Sequence, residues 1–120
     1  MTATVQEQRQ GFSRIKWEWT SDGTGDASEA APGSFTGLVF ECITIPDGSA
    51  APTADYDITI TDDDGVDVLR GLGADRATAT TEYLHINQDG LGVVHHSALT
   101  LTVANAGDTK EGAIYLTVMV

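Results

Sequence analysis

The sequence predicts an all-β chain: a single-domain antiparallel β-sandwich or small barrel, jelly-roll-like, led by a polar N-terminal arm. Three observations carry this expectation. Apolar residues recur at period two in several separate segments. Clusters of Asp, Asn and Gly fall between those segments, where left-handed backbone is easily reached. No stretch repeats apolar residues at i, i+3, i+4 and i+7 over three turns. A chain of 120 residues fits one domain and one core.

The elements follow in order. Residues 1–13 are expected as the arm and residues 14–120 as the sandwich domain. Arg14-Ile15-Lys16-Trp17-Glu18-Trp19 alternates, with Ile15, Trp17 and Trp19 on one face. Both tryptophans read as core, with an exposed aromatic platform as the alternative. Asp22–Gly33 is rich in Gly, Ser and Ala and reads as an exposed loop. Leu38–Ile45 is apolar on both faces apart from Glu41 and Thr44, so it reads as a central strand covered on both sides. Tyr56–Thr61 puts Tyr56, Ile58 and Ile60 on one face. Ala74–Glu82 lacks an apolar stripe, so a loop or a short helical turn is expected there. The runs Ser97–Ala104 and Ala113–Val120 read as a hairpin with a wide loop. Six or seven strands result, Thr-rich where a pleated face meets water.

Charge narrows the function classes. Six Lys and Arg stand against 18 Asp and Glu, a formal net of −12. Phosphate contacts need clustered cations, which argues against a nucleic-acid partner. The same charge argues against docking on an anionic membrane. No apolar run is long enough to span a bilayer, and MTATVQEQRQGF lacks the apolar core of a signal peptide. The charge is also uneven. Residues 1–16 hold Arg9, Arg14 and Lys16 against Glu7, a net of +2, so the remainder carries −14. A basic leading segment on an acidic body suggests a docking element for an acidic neighbour. Arg9, Arg14 and Lys16 would match charge, and Phe12 would anchor.

Candidate chemical motifs are weak. Asp62-Asp63-Asp64-Gly65-Val66-Asp67 resembles a calcium loop, yet no register places both a carboxylate at the first position and Gly at the sixth. A tight turn whose Asp side chains cap backbone N–H groups is the better reading. His95 and His96 are adjacent, so in a regular strand they point to opposite faces and cannot share an ion. Gly71-Leu72-Gly73-Ala74-Asp75-Arg76 lacks the third glycine of a dinucleotide fingerprint and reads as loop. The single cysteine, Cys42, reads as an inert core residue. No nucleophile, base and oxyanion site assemble, so neither an enzyme nor a cofactor or metal is expected.

Two segments carry a resemblance. Tyr56–Leu69 with Gly71–Arg76, and Leu99–Gly112 with the strand that follows, resemble small structural proteins of tailed bacteriophages. The resemblance implies a virion component made in the host cytoplasm. The role it implies is often capsid decoration (cement), sometimes a head or tail accessory. The implied partners are the major capsid protein and copies of the same chain. Trimers are common among such proteins, and nothing in this chain demands one. A carbohydrate- or host-surface-binding module is the alternative class. It expects an exposed Trp17 or Trp19, or Ca²⁺ at Asp62–Asp67.

Overall fold

The computed structural model describes residues 1–9 and 11–120, the side chains of residues 7–9 excepted. It is an antiparallel β-sandwich. Among the described residues there are nine strands: β1 (Thr2–Arg9), β2 (Phe12–Thr20), β3 (Ala27–Ala30), β4 (Phe35–Pro46), β5 (Asp57–Thr61), β6 (Glu82–His85), β7 (Val93–Ser97), β8 (Thr100–Ala104) and β9 (Glu111–Met119). One helical turn, α1 (Ile86–Asp89), follows β6; His85 Nδ1 accepts the Asn87 N–H at its start and Gly90 closes it in left-handed backbone. The large sheet runs β1-β2-β9-β4-β6, with β7 also paired to β4. The small sheet runs β3-β8-β5.

The period-two segments became strands for the reason they suggested themselves. Ile15, Trp17 and Trp19 of β2 are buried, as are Ile114, Leu116 and Val118 of β9. They face Ile58 and Ile60 of β5 and Leu101 and Val103 of β8 within one core. Each large side chain taken fully from water contributes about 1.5–3 kcal/mol, so this layer dominates the stability. Cys42 is fully buried in it, and desolvation pushes its thiol up to about 12, so it is inert.

Four expectations need correction. The last two strands are not a hairpin: β8 pairs with β3 and β5, whereas β9 pairs with β2 and β4. Their connection crosses from one sheet to the other, and Ser21 holds it by donating to the Gly107 carbonyl (2.5 Å) and accepting from Lys110 N–H (2.8 Å). The Gly- and Ser-rich loop contains β3, whose weak alternation, Ala27 and Glu29 half-buried, gives little apolar signal. The histidine pair does not straddle β7. An extra residue between Val94 and Ser97, with His96 at φ 44°, leaves both histidines exposed. Finally, β4 is central but covered on one side only. Phe35, Val39, Cys42 and Thr44 are buried, while Leu38 on the other face is 46% exposed. The segment expected as an arm carries β1, paired with β2 from Thr2↔Glu18 to Arg9↔Phe12.

Close packing at one end of the core rests on a glycine. Gly112 lies between Trp19 of β2 and Pro46 of β4. A Cβ there would sit 2.7 Å from Cζ2 of the Trp19 indole. The ring is wedged between this strand and Tyr56, 5.6 Å away centroid to centroid. Among the described residues Trp19 Nε1 has no hydrogen-bond partner, so replacing the indole sacrifices packing alone. Gly112→Ala is therefore expected to destabilise the protein by about 1–3 kcal/mol in urea unfolding. The same change in a Trp19→Phe background should cost clearly less; equal costs would show that the indole is not what the methyl meets.

Candidate interaction face

The two outward faces of the sandwich differ, and the difference locates the candidate site. On the small sheet, the side opposite Ile58, Ile60, Leu101 and Val103 carries Thr59, Thr61, Thr100 and Thr102, with Ser28 alongside. That is an ordinary solvated face. The outward side of the large sheet mixes exposed apolar residues, Leu38, Tyr83, Val93 and Met119, with polar ones. Register across β2, β9, β4 and β6 aligns Lys16, Tyr115, Ile43 and Tyr83 in one row. A neighbouring row holds Arg14, Thr117, Glu41 and His85. The next runs Phe12, Met119, Leu38 and Val93. Tyr83 is 64% exposed and Leu38 46%. Isolated exposed apolar residues mean little, but a contiguous set on one sheet marks a contact surface.

A bulge adds to this face. Between Val39 and Glu41 the β4–β9 register shifts by one residue. The extra residue lets Phe40 turn outward, where its ring meets His85 edge-on at 4.5 Å. After the bulge, Cys42 and Thr44 resume the inward alternation. Without the shift, residues 42 and 44 would turn outward and residues 43 and 45 inward.

Three of the four residues expected to bind a partner lie on this face. Phe12, Arg14 and Lys16 alternate with buried Ile15 and Trp17, so they point outward together. The side chain of Arg9 lies outside the described residues. Arg14 places its guanidinium 4.4 Å from the Tyr115 ring centre, and Lys16 its ammonium 5.5 Å from the same ring. The Glu18 carboxylate, 2.7 Å from the Lys16 ammonium, and the neighbouring Tyr115 hydroxyl raise the Lys16 pKa above its ordinary value. Two cations are thus presented on an aromatic base in an otherwise acidic protein. Arg, Tyr, Phe and Met together, with apolar residues around them, match the composition of protein–protein hot spots. Sequence reasoning found the β2 residues through their charge. It missed Tyr115, Tyr83 and Met119, which only the register brings beside them. At one end of the face, Gly112 and Ala113 leave an open cleft of about 540 Å³, bordered by Glu18, Ile45, Asp47 and Glu111.

The other motifs resolve locally. Asp62 Oδ1 accepts from Asp64 N–H (2.9 Å) and Val66 N–H (3.0 Å). Asp67 accepts from Ile60 (3.2 Å), Leu69 (3.0 Å) and Gly71 (2.8 Å). These carboxylates cap backbone donors, the arrangement of a turn. Similar backbone donors at Thr24 and Asp26 hold the Asp22 carboxyl below the usual carboxylate range, and those of Ala50 and Ser49 do so for Asp47. Among the described residues no three His, Cys, Asp or Glu side chains are grouped to hold a metal ion. Gly71–Gly73 is loop, as expected, and a Cβ at Gly73 would run into the Ile58 carbonyl. Both tryptophans are buried, Trp17 at 0% and Trp19 at 2%, so neither offers a stacking platform.

Comparison with known proteins adds little to this geometry. No family model matches the chain, and no curated protein matches it. A solved structure titled "Crystal Structure of FLHE" is similar at a TM-score of 0.46 and 10% identity, over 91% of this chain and 96% of that one.

The acidic turn makes a direct prediction. Asp67→Ala should destabilise the protein by about 2 kcal/mol, because three backbone donors lose their acceptor. The melting temperature of the unaltered protein should be the same in excess EDTA and in millimolar Ca²⁺; a large rise with Ca²⁺ would mean the carboxylates hold an ion instead.

Proposed function

We propose that the chain is a non-enzymatic structural protein of a virion, a capsid decoration protein that docks on the head shell through the outward face of the large sheet. The observation that carries this reading is the inequality of the two faces. Both sheets share one core, yet only the small sheet turns a Thr- and Ser-rich side to solvent. The exposed Leu38, Val93, Met119 and Tyr83 on the other sheet have a reason to persist if a partner covers them.

The chemistry of the face suits a partner surface that is part apolar and part carboxylate-bearing, since Glu18 and Glu41 stand beside the two cations. Arg14 and Lys16 supply the charge, and Phe12, Leu38, Met119 and Tyr83 the area removed from water. The net charge of −12 limits unspecific contact between free copies. Many copies on a lattice then make a modest single contact sufficient. The resemblance of residues 56–76 and 99–112 to phage structural proteins supplies the virion context. The carbohydrate-binding alternative loses its main support with both tryptophans buried.

Purified protein mixed with capsids that lack it should give saturable, lattice-spaced density. Tyr115→Ala and Arg14→Glu should each weaken that binding by roughly tenfold or more, with circular dichroism and melting close to the parent. Absence of binding to shell, neck and tail alike would defeat the proposal.

A further inference from the structure

The edges of a sandwich are sites where foreign strands can add, and this fold treats its edges unequally. The open side of β5 is covered by the chain that follows it. Val68 N–H donates to the Ile60 carbonyl (2.8 Å), Ile58 N–H to Gly73 (2.9 Å) and Arg76 N–H to Tyr56 (2.7 Å). β3 is only four residues long. On β6 the His85 N–H is taken by the Asp89 carboxylate (2.9 Å), and the strand runs straight into α1. β7 is interrupted by its extra residue at His96. Of the terminal strands, β1 alone is both long and uncovered. Over Thr2–Gln6 its only backbone partner among the described residues is β2.

We propose that this edge of β1 pairs antiparallel with β1 of a second copy of the chain, joining the two large sheets into one. Charge permits a second copy at this place. The chain bears −14 beyond residue 16, so most approaches set acid against acid, whereas Thr2–Gln6 carry no ionisable side chain. This stretch of β1 is an edge along which two copies meet without opposing like charges. The residues also fit. Thr2, Thr4 and Gln6 are exposed, neutral and able to hydrogen-bond, while Ala3 and Val5 pack inward on the core. The β1–β2 register shifts after Val5, which limits regular pairing to the first part of the strand. A two-fold axis at Thr4 then sets Thr4 opposite Thr4 and Ala3 opposite Val5. Apolar meets apolar inside, polar meets polar outside, and no like charges oppose. This pairing uses an edge, not the outward face, and stands or falls independently of shell binding.

Sedimentation equilibrium over about 1 µM to 1 mM should show a monomer–dimer equilibrium. Thr4→Lys, which sets two ammonium groups face to face, should raise the dimer dissociation constant by roughly tenfold while leaving circular dichroism unchanged. Thr4→Cys should oxidise to a covalent dimer, since directly opposed strand residues lie within disulfide reach. Cys42 is buried and will not compete. A monomer at every concentration, or crosslinking as efficient at exposed Ser49→Cys, overturns the proposal.

Discussion

The structure depends on two indoles carried by one strand. Trp17 and Trp19 leave β2 on the same side and fill the gap between the sheets. Trp17 also ties the layers together, its N–H donating to the Glu29 carbonyl on β3. Trp19 reaches Tyr56, beside β5, and its ring occupies the space that Gly112 leaves on β9. Aromatic side chains of this size each bury about 150–250 Å², more than any other pair the chain could place there. Their direction also sets the register of everything else. With β2 committed inward at Ile15, Trp17 and Trp19, its intervening residues Arg14, Lys16 and Glu18 must face out. The neighbouring β9 follows, so Tyr115 is delivered beneath the two cations.

How much of this was legible in the sequence depends on how local each signal was. Strong alternation at Ile15–Trp19, Ile58–Ile60, Leu101–Val103 and Ile114–Val118 announced strands and their buried sides, because period two is a property of a single segment. The acidic turn was equally readable, since the hydrogen bonds of Asp62 and Asp67 close within ten residues. Pairing was not readable. Nothing in Leu99–Val120 says that β8 and β9 belong to different sheets; that follows from which partners cover them. β3 was missed because Ala-Ser-Glu-Ala has almost no apolar contrast. Phe40 and the two histidines were misjudged or overlooked because a single inserted residue reverses the facing of a strand, and composition does not mark such insertions.

The candidate face was legible in half. The cations of β2 stood out against an acidic chain, and Phe12 with them. The apolar half was hidden in β4. Its two-sided apolarity reads equally well as burial on both faces or as one buried and one open face, and only the small size of the second sheet decides. Three short strands are enough to cover one side of the large sheet, and among the described residues no further layer lies over the other. Against a net charge of −12 the outward face is close to neutral, Arg14 and Lys16 standing beside Glu18 and Glu41. On the proposed reading the first limits unspecific self-contact, and the second is where contact is allowed.

The most direct test of this account is side-chain footprinting with a hydroxyl-radical or carbene probe, comparing free protein with protein bound to assembled shells. The account predicts that Leu38, Tyr83, Tyr115 and Met119 lose most of their labelling on binding, while Val66 beside the acidic turn keeps its own. Protection confined to the acidic turn or to the small sheet, with those four residues labelled as in the free protein, would contradict it.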